Sequence, residues 1–322
     1  MKQKVLITGI RGFVGTNLKE YLRNQGNYQI VGISRNKKHI EFLKDDIHTI
    51  ASYDEIINDS LNTNSYVHLA GKVIETDMKG TEEEFHEANY WQTKKLFDHF
   101  IVDKIADKFI FISTIHVLTE DPNEVLDEQY IPKPFTPYGQ SKYSAEQYIK
   151  ENCPDHKKFY ILRPPMIHGP GNKGNLNQLY ALVKRGIPYP VGHINNKRSF
   201  LSIENFCFII NELLKNDVES GLYHIADDDP TYTHDLISLM ADMTGKKARI
   251  LNVHPVLLNF IAKAGNVLPL PINEHKLKKL TKDFLVSNEK IKKKIGKPLP
   301  VSSREGIEKT IHSFINSSDL PR

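Results

Sequence analysis

"VLITGIRGFVGTNLKEYLRN", residues 5–24, contains the fold in miniature. Four apolar or β-branched residues read as a strand, three glycines as a turn, and an amphipathic run as a helix that Gly26 caps. Gly9, Gly12 and Gly15 stand as G-x-x-G-x-x-G between strand and helix. Glycines there let the backbone turn tightly and approach a pyrophosphate, which the free amides and dipole of the helix N-terminus then stabilise. Three spaced glycines also occur in surface turns, but the strand-turn-helix context favours a dinucleotide, held by Gly9, Gly12, Phe13, Val14 and Gly15.

Working outward, "YQIVGIS" (28–34), "SYVHLAG" (65–71) and "KFIFIST" (108–114) read as further strands, and "TEEEFHEANYWQTKKLFDHFIV" (81–102) as a helix between two of them. Such alternation predicts an α/β fold, a Rossmann-like doubly wound parallel sheet. After Arg163 comes the Pro/Gly loop "RPPMIHGPG". Helical patterns follow in "NLNQLYALVKRG", "SIENFCFIINELLK", "THDLISLMADMTG" and "VLLNFIAKAG", with short strands such as "GLYHIA". The predicted organisation is a dinucleotide-binding domain over 1–165 and a smaller mixed α/β substrate-binding domain over 166–322, with some exchange of segments.

Hydrophobic residues make up 39% and charged residues 25%, the balance of a globular chain. The net charge of +4 gives no argument for nucleic acid, and the lysines of "KLKKLTKDF" and "KIKKKIGK" read as solvated helical faces. No apolar stretch is long enough to span a membrane, and "MKQKVLITGI" lacks the apolar core of a signal peptide, so a cytoplasmic protein is expected. Cys153 and Cys207 offer neither a metal site nor a disulfide framework, and the histidines show no metal-ligand spacing.

A carboxylate closing the second strand would select NAD through the adenosine ribose. Here the segment is Ser34, Arg35, Asn36 and Lys37, which favours NADP(H), with NAD(H) the alternative. Asp46 and Ile47 are expected near the adenine edge. "YGQSK" (138–142) puts Tyr138 and Lys142 one helical turn apart, where an ammonium would lower the phenol's pKa and make it an acid or base. Alone, such a pair is as readily a surface contact.

In order and spacing, "TGIRGFVG", "HLAG" (68–71), Asn89 in "ANYWQT", "FIST" (111–114), "YGQSK", "RPPMIHGPG" and "RSFLSIEN" (198–205) resemble the extended short-chain dehydrogenase/reductases, in their nucleotide-sugar epimerase/dehydratase branch, over nearly the whole chain. The resemblance implies Tyr138 as catalytic acid/base, Lys142 as its partner and a ligand of the nicotinamide ribose, and Thr114 as the donor to the reacting sugar oxygen, with Ser113 as substitute. It places Leu69, Ala70, Gly71 and Asn89 on the cofactor. Lys72, Asn175, Leu176 and Arg198 fall on a UDP-sugar, Arg198 clamping the diphosphate unless it is simply a surface residue.

Family dehydratases carry Asp-Glu after the catalytic threonine; Ile115 and His116 stand there instead, so dehydration is disfavoured and His116 receives no role. Hydride transfer at sugar C4 remains. Arg35, and Met166 where related epimerases commonly carry asparagine, favour reduction of a UDP-4-keto-6-deoxy (N-acetyl)hexose for surface polysaccharide. The alternative is a UDP-hexose or UDP-N-acetylhexosamine 4-epimerase, and a remote one a non-catalytic NADP-binding sensor. Related enzymes suggest a homodimer through the Tyr-Lys helix and the helix before it.

Overall fold

The computed structural model describes residues 2–34, 47–49, 62–73, 80–172, 174–190, 194–264, 277 and 281–318. β1 (Gln3–Thr8), α1 (Phe13–Asn24) and β2 (Tyr28–Ser34) form the opening unit. α1 starts at Phe13, three residues earlier than the amphipathic pattern suggested, because Gly12 already serves as its N-cap. Gly26 ends it with φ +73°, a conformation that suits a residue without Cβ.

β3 (Ile47–Thr49), β4 (Ser65–His68), β5 (Lys108–Ile112) and β6 (Lys158–Arg163) extend the sheet, and β10 (Gly221–His224) joins its edge. The strand order is β10-β6-β5-β4-β1-β2-β3, and every pairing is parallel. Strands run out from β1 in both directions, so the chain reverses its winding between β1 and β4. The crevice there, at the carboxyl ends of the strands, is where open α/β sheets bind ligands.

Side chains alternate across the sheet. Val5, Ile7, Ile110 and Leu162 face α1 and α6 (Ile203–Lys215), with Leu18, Leu22, Phe206 and Ile210. Leu6, Phe109, Phe111 and Ile161 face α3 (Gln92–Val102) and α4 (Pro137–Asn152), with Leu96, Phe97, Phe100 and Ile149. Phe97 meets Phe109 edge-on at 4.9 Å, and each such ring contributes about 1.5–3 kcal/mol by its burial. The helix predicted over 81–102 is interrupted. α2 (Glu82–His86), capped by a reciprocal Thr81–Glu84 box, widens into a π-turn over Glu87–Trp91 before α3 resumes.

Beyond β6 come β7 (Met166–His168), α5 (Asn175–Lys184), β8 (Lys197–Arg198) and β9 (Phe200–Ser202), then, after β10, β11 (Thr231–Tyr232), α7 (Thr233–Met243), α8 (Pro255–Ala264), α9 (Glu289–Ile295) and α10 (Ser303–Ser318). Leu176, Phe200, Leu236, Met240, Ile307 and Ile311 form a separate core among α5, α7, α10 and β9. α6 and β10 lie between these segments in sequence yet return to the large sheet, so the two cores share the second half of the chain.

Candidate active site

The glycine loop crosses the mouth of the crevice. Gly9 has φ +67°, and a Cβ on it would stand 2.8 Å from the Ala70 amide nitrogen. A Cβ on Gly15 would lie 2.3 Å from the Gly9 carbonyl oxygen, so the helix presses on the turn through bare backbone. Gly12 caps α1 without a side chain and the first turn carries no acid, which leaves first-turn amides and the positive helix end for an anion. That cradle fits the pyrophosphate of a dinucleotide. Phe13 and Val14 pack their half-buried side chains on the core beneath, and Phe13 lies 3.6 Å and 3.8 Å from Cβ positions built on Gly169 and Gly171. The "RPPMIHGPG" loop thus closes on the start of α1, aided by an Asn17 Nδ2 bond to the Pro170 carbonyl.

A chain of buried hydrogen bonds fixes the neighbouring "HLAG" segment. The Ala70 amide donates to Thr8 Oγ1, and Thr8 Oγ1 lies 2.6 Å from His68 Nδ1. On the other side, His68 Nε2 meets Thr93 Oγ1, whose proton goes to the Asn89 carbonyl. Because that proton is committed, Nε2 of His68 donates and Nδ1 accepts from Thr8. Burial, with the Lys142 charge adding to it, holds the pKa of this imidazole well below its ordinary value, so the ring is neutral.

Asn89, fully buried in the π-turn, accepts from the Lys72 amide (2.8 Å) and donates to the Lys72 carbonyl (2.9 Å) and Ser141 Oγ (3.0 Å). It therefore ties the segment after β4 to α4. Gly71 sits between: a Cβ there would lie 2.7 Å from Asn89 Oδ1 and 3.1 Å from Lys142 Nζ.

Thr136 caps α4 by accepting from the Gly139 amide, and Pro137 occupies the first turn, which brings Tyr138 to the helix mouth. Burial pushes the Tyr138 phenol up to about 12, while a hydrogen bond with the Thr114 hydroxyl pulls the other way. Lys142 is 3% exposed, and burial pulls its ammonium down to about 8 against the opposing charge of Glu146. Lys142 donates to the Ile112 carbonyl (2.9 Å) and sits 4.7 Å over the Phe111 ring. The expectation that the ammonium lowers the phenol's pKa is thus not met in this state. The charge is spent on the Ile112 carbonyl and the ring, and desolvation decides the phenol. As it stands Tyr138 is a proton donor.

Behind these residues the Ser113 hydroxyl donates to Glu146, which also takes Nε and Nη2 of buried Arg163. Ser113 is therefore turned away from Tyr138, leaving Thr114 as the hydroxyl at the phenol. Sequence reasoning missed Glu146 and His68. Glu146 lies one turn beyond Lys142, a spacing that would have placed it on the same helix face; His68 stood inside a quoted motif without a role.

Of the remaining expected residues, Ser34 ends β2 and Ile47 pairs with Gly32 at the start of β3, at the β2–β3 end of the strand order. Arg35 and Asp46 lie outside the described residues. Leu69 packs against the core below the glycine loop. Lys72 Nζ is ion-paired with Glu84, its backbone held by Asn89. Leu176 is 2% exposed and belongs to the smaller core, whereas Asn175 is exposed at the start of α5. Arg198 is half-buried over the Phe284 ring at 5.3 Å, its pKa lowered by burial against the influence of Tyr189 and Glu120. A shallow hollow among Lys2, Gln3, Tyr28 and Lys215 lies at the amino ends of the strands, away from these groups. Among the described residues no three His, Cys, Asp or Glu side chains gather as metal ligands, and no helix is long and apolar enough to cross a membrane.

The chain is 29% identical to a UDP-glucose 4-epimerase of Vibrio cholerae, over 99% of this chain and 98% of that one. It is 23% identical to a GDP-6-deoxy-D-mannose reductase of Pseudomonas aeruginosa, over 78% and 83% of the two chains. The fold matches a Bordetella bronchiseptica enzyme solved with NAD and UDP, at a TM-score of 0.77 and 17% identity over 98% and 96%. Residues 5–226 match the family model described as the NAD dependent epimerase/dehydratase family. With a parallel sheet reversing at a glycine cradle and a Thr-Tyr-Lys set beside it, the chain belongs to this family of nucleotide-sugar epimerases, dehydratases and reductases.

Proposed function

We propose that the protein transfers a hydride between a nicotinamide cofactor and C4 of a UDP-linked sugar, in the direction of reducing a UDP-4-keto-6-deoxy (N-acetyl)hexose. One observation carries this reading. Thr114 hydrogen-bonds a proton-donating phenol, Tyr138, one helical turn before the buried Lys142, and no carboxylate follows Thr114, where the Ile115 side chain is wholly buried. A bound NADP(H) or NAD(H) would supply the hydride. Tyr138 would give its proton to the carbonyl oxygen as that carbon is reduced, and Thr114 would hold the same oxygen. Water elimination in related dehydratases uses a carboxylate pair after the threonine, and here Ile115 is apolar and buried and His116 carries no carboxylate.

Gly9, Gly12, Phe13, Val14, Gly15, Leu69, Ala70, Gly71, Asn89 and Lys142 are proposed to hold the cofactor. Arg198, Asn175 and the Leu176 backbone are proposed to hold the nucleotide diphosphate, an arginine being suited to bidentate phosphate contact. On this reading the large sheet serves the cofactor and the smaller core the sugar nucleotide. Preference for NADP(H) rests on Arg35 in the sequence. The Vibrio relative, matched over its full length, supports the second reading, a 4-epimerase with retained NAD. A homodimer through α3 and α4, beside the exposed Trp91, and a cytoplasmic place beside nucleotide-sugar metabolism complete the proposal.

The test is to denature the purified protein, identify any released nucleotide by mass, and assay both reactions. NADPH oxidation by UDP-4-keto-6-deoxy-N-acetylglucosamine, lost in Tyr138→Phe with cofactor binding intact, is the expected result. Retained NAD with inversion of a UDP-hexose at C4 would instead establish the epimerase. Unchanged turnover in Tyr138→Phe would remove the mechanism common to both.

A further inference from the structure

His116 lies two residues beyond Thr114, and its backbone amide bonds the Thr114 hydroxyl. Its carbonyl oxygen would be 2.7 Å from a Cβ on Gly139, the residue after Tyr138. Nδ1 is sealed from solvent and stands 2.9 Å from Glu120 Oε1, an ion-pair separation without hydrogen-bond alignment. Yet the side chain is 36% exposed, while Glu120 is 14% exposed. With Nδ1 buried, the accessible part of the ring is its other edge, which includes Nε2.

The ring packs 5.6 Å from Phe284, and the far partner of Phe284 is the Arg198 guanidinium at 5.3 Å. Glu120 acts electrostatically on Arg198 as well. An Asp121–Lys282 ion pair at 2.6 Å fastens the same two loops together. His116 and Glu120 thus occupy the stretch between the proton-donating phenol and the arginine proposed for the diphosphate. A sugar nucleotide with its C4 at Tyr138 and its diphosphate at Arg198 must lay its hexose ring along that stretch.

Resting on the function proposed above and deepening it, we propose that His116, braced by Glu120, is a specificity-determining residue that hydrogen-bonds a polar substituent of the hexose, a hydroxyl or an acetamido group. A carboxylate beside Nδ1 fixes which way the ring faces, and the open edge then presents a polar nitrogen at a fixed place. Phenylalanine would preserve the tilted ring contact with Phe284 and remove that nitrogen.

Binding of UDP and of UDP-N-acetylglucosamine to the cofactor-loaded protein, measured by calorimetry, separates the contributions. The wild type is expected to bind the sugar nucleotide more tightly than UDP. His116→Phe should weaken binding of UDP-N-acetylglucosamine about 10-fold, the value of one polar contact, and leave UDP and cofactor binding unchanged. His116→Gln should restore part of the loss, and Glu120→Gln should fall between. In turnover the effect should appear in KM with kcat within about threefold, since the contact is made equally in ground and transition states. Equal weakening of UDP and UDP-sugar would overturn the proposal, because His116 would then act through Phe284 and Arg198. An unchanged sugar increment in His116→Phe would overturn it too. Wild-type protein that binds cofactor but no UDP would instead remove the sugar-nucleotide reading itself, and this inference with it.

Discussion

Replacing Lys142 by methionine should make the protein more stable at neutral pH and nearly inactive. The ammonium is held at about 8 in the folded protein by burial, against about 10.4 in an unfolded chain. The gap of about 2.4 pH units corresponds to about 3 kcal/mol, an unfavourable contribution of the charged form to folding. Between pH 8 and 10.4 the unfolded chain holds more protons than the folded one. Wild-type stability relative to the variant therefore rises with pH through that window, and below pH 8 the full penalty is present. Methionine forfeits the bond to the Ile112 carbonyl, a cost of about 1 kcal/mol. The variant should thus gain about 2 kcal/mol at pH 7, and by pH 10 the gain should have vanished or reversed. Urea denaturation of both proteins at pH 7 and pH 10 measures this, and the comparison cancels other titrating groups. A variant less stable than wild type by the same amount at both pH values would refute the reasoning, because Lys142 would then carry no buried-charge cost.

Gly15→Ala forces a Cβ within 2.3 Å of the Gly9 carbonyl, where only backbone can yield. At about 1–3 kcal/mol for overpacking, dinucleotide affinity should fall about 10- to 100-fold, as cofactor titration would show. Glu146→Ala leaves the Arg163 guanidinium buried without its counter-charge and should cost about 3–5 kcal/mol in urea denaturation. Asn89→Leu removes three hydrogen bonds at about 1 kcal/mol each. Its stability should drop by about 2–3 kcal/mol, and the Lys72 amide should exchange faster with solvent.

How far the sequence reached depended on the range of the interactions concerned. The strand-glycine-helix unit at Val5–Asn24 was legible because each part is set by local chemistry: apolar residues, residues without Cβ and an amphipathic repeat. The Tyr138–Lys142 spacing was legible for the same reason. The π-turn that turns Asn89 inward left no composition signal, since a one-residue widening barely alters helical periodicity. Nor did spacing predict that Lys142 would turn its charge to the Ile112 carbonyl, a partner 30 residues away that only the parallel register of β5 brings near. The return of α6 and β10 to the large sheet was hidden likewise, because their patterns look the same whichever core they face.

The buried charges behind the phenol form one coupled set around Lys142. Glu146 raises the Lys142 pKa, yet its oxygens are already taken by Ser113 and by both Nε and Nη2 of Arg163. Across Lys142, Arg163 and Glu146 one positive charge is left over. His68, the other titratable ring at Lys142, is kept neutral by burial and by that same cation, so it adds no second charge. An excess cation in a dry site is costly to folding; under the proposed hydride transfer it would also favour negative charge developing on the sugar oxygen, because fixed charge acts strongly where water is excluded. The Arg163–Glu146 pair is poor evidence for stability, since buried pairs often match apolar replacements. Its physical effect is to hold Glu146 close enough to keep Lys142 charged near neutrality, yet too occupied to cancel the charge.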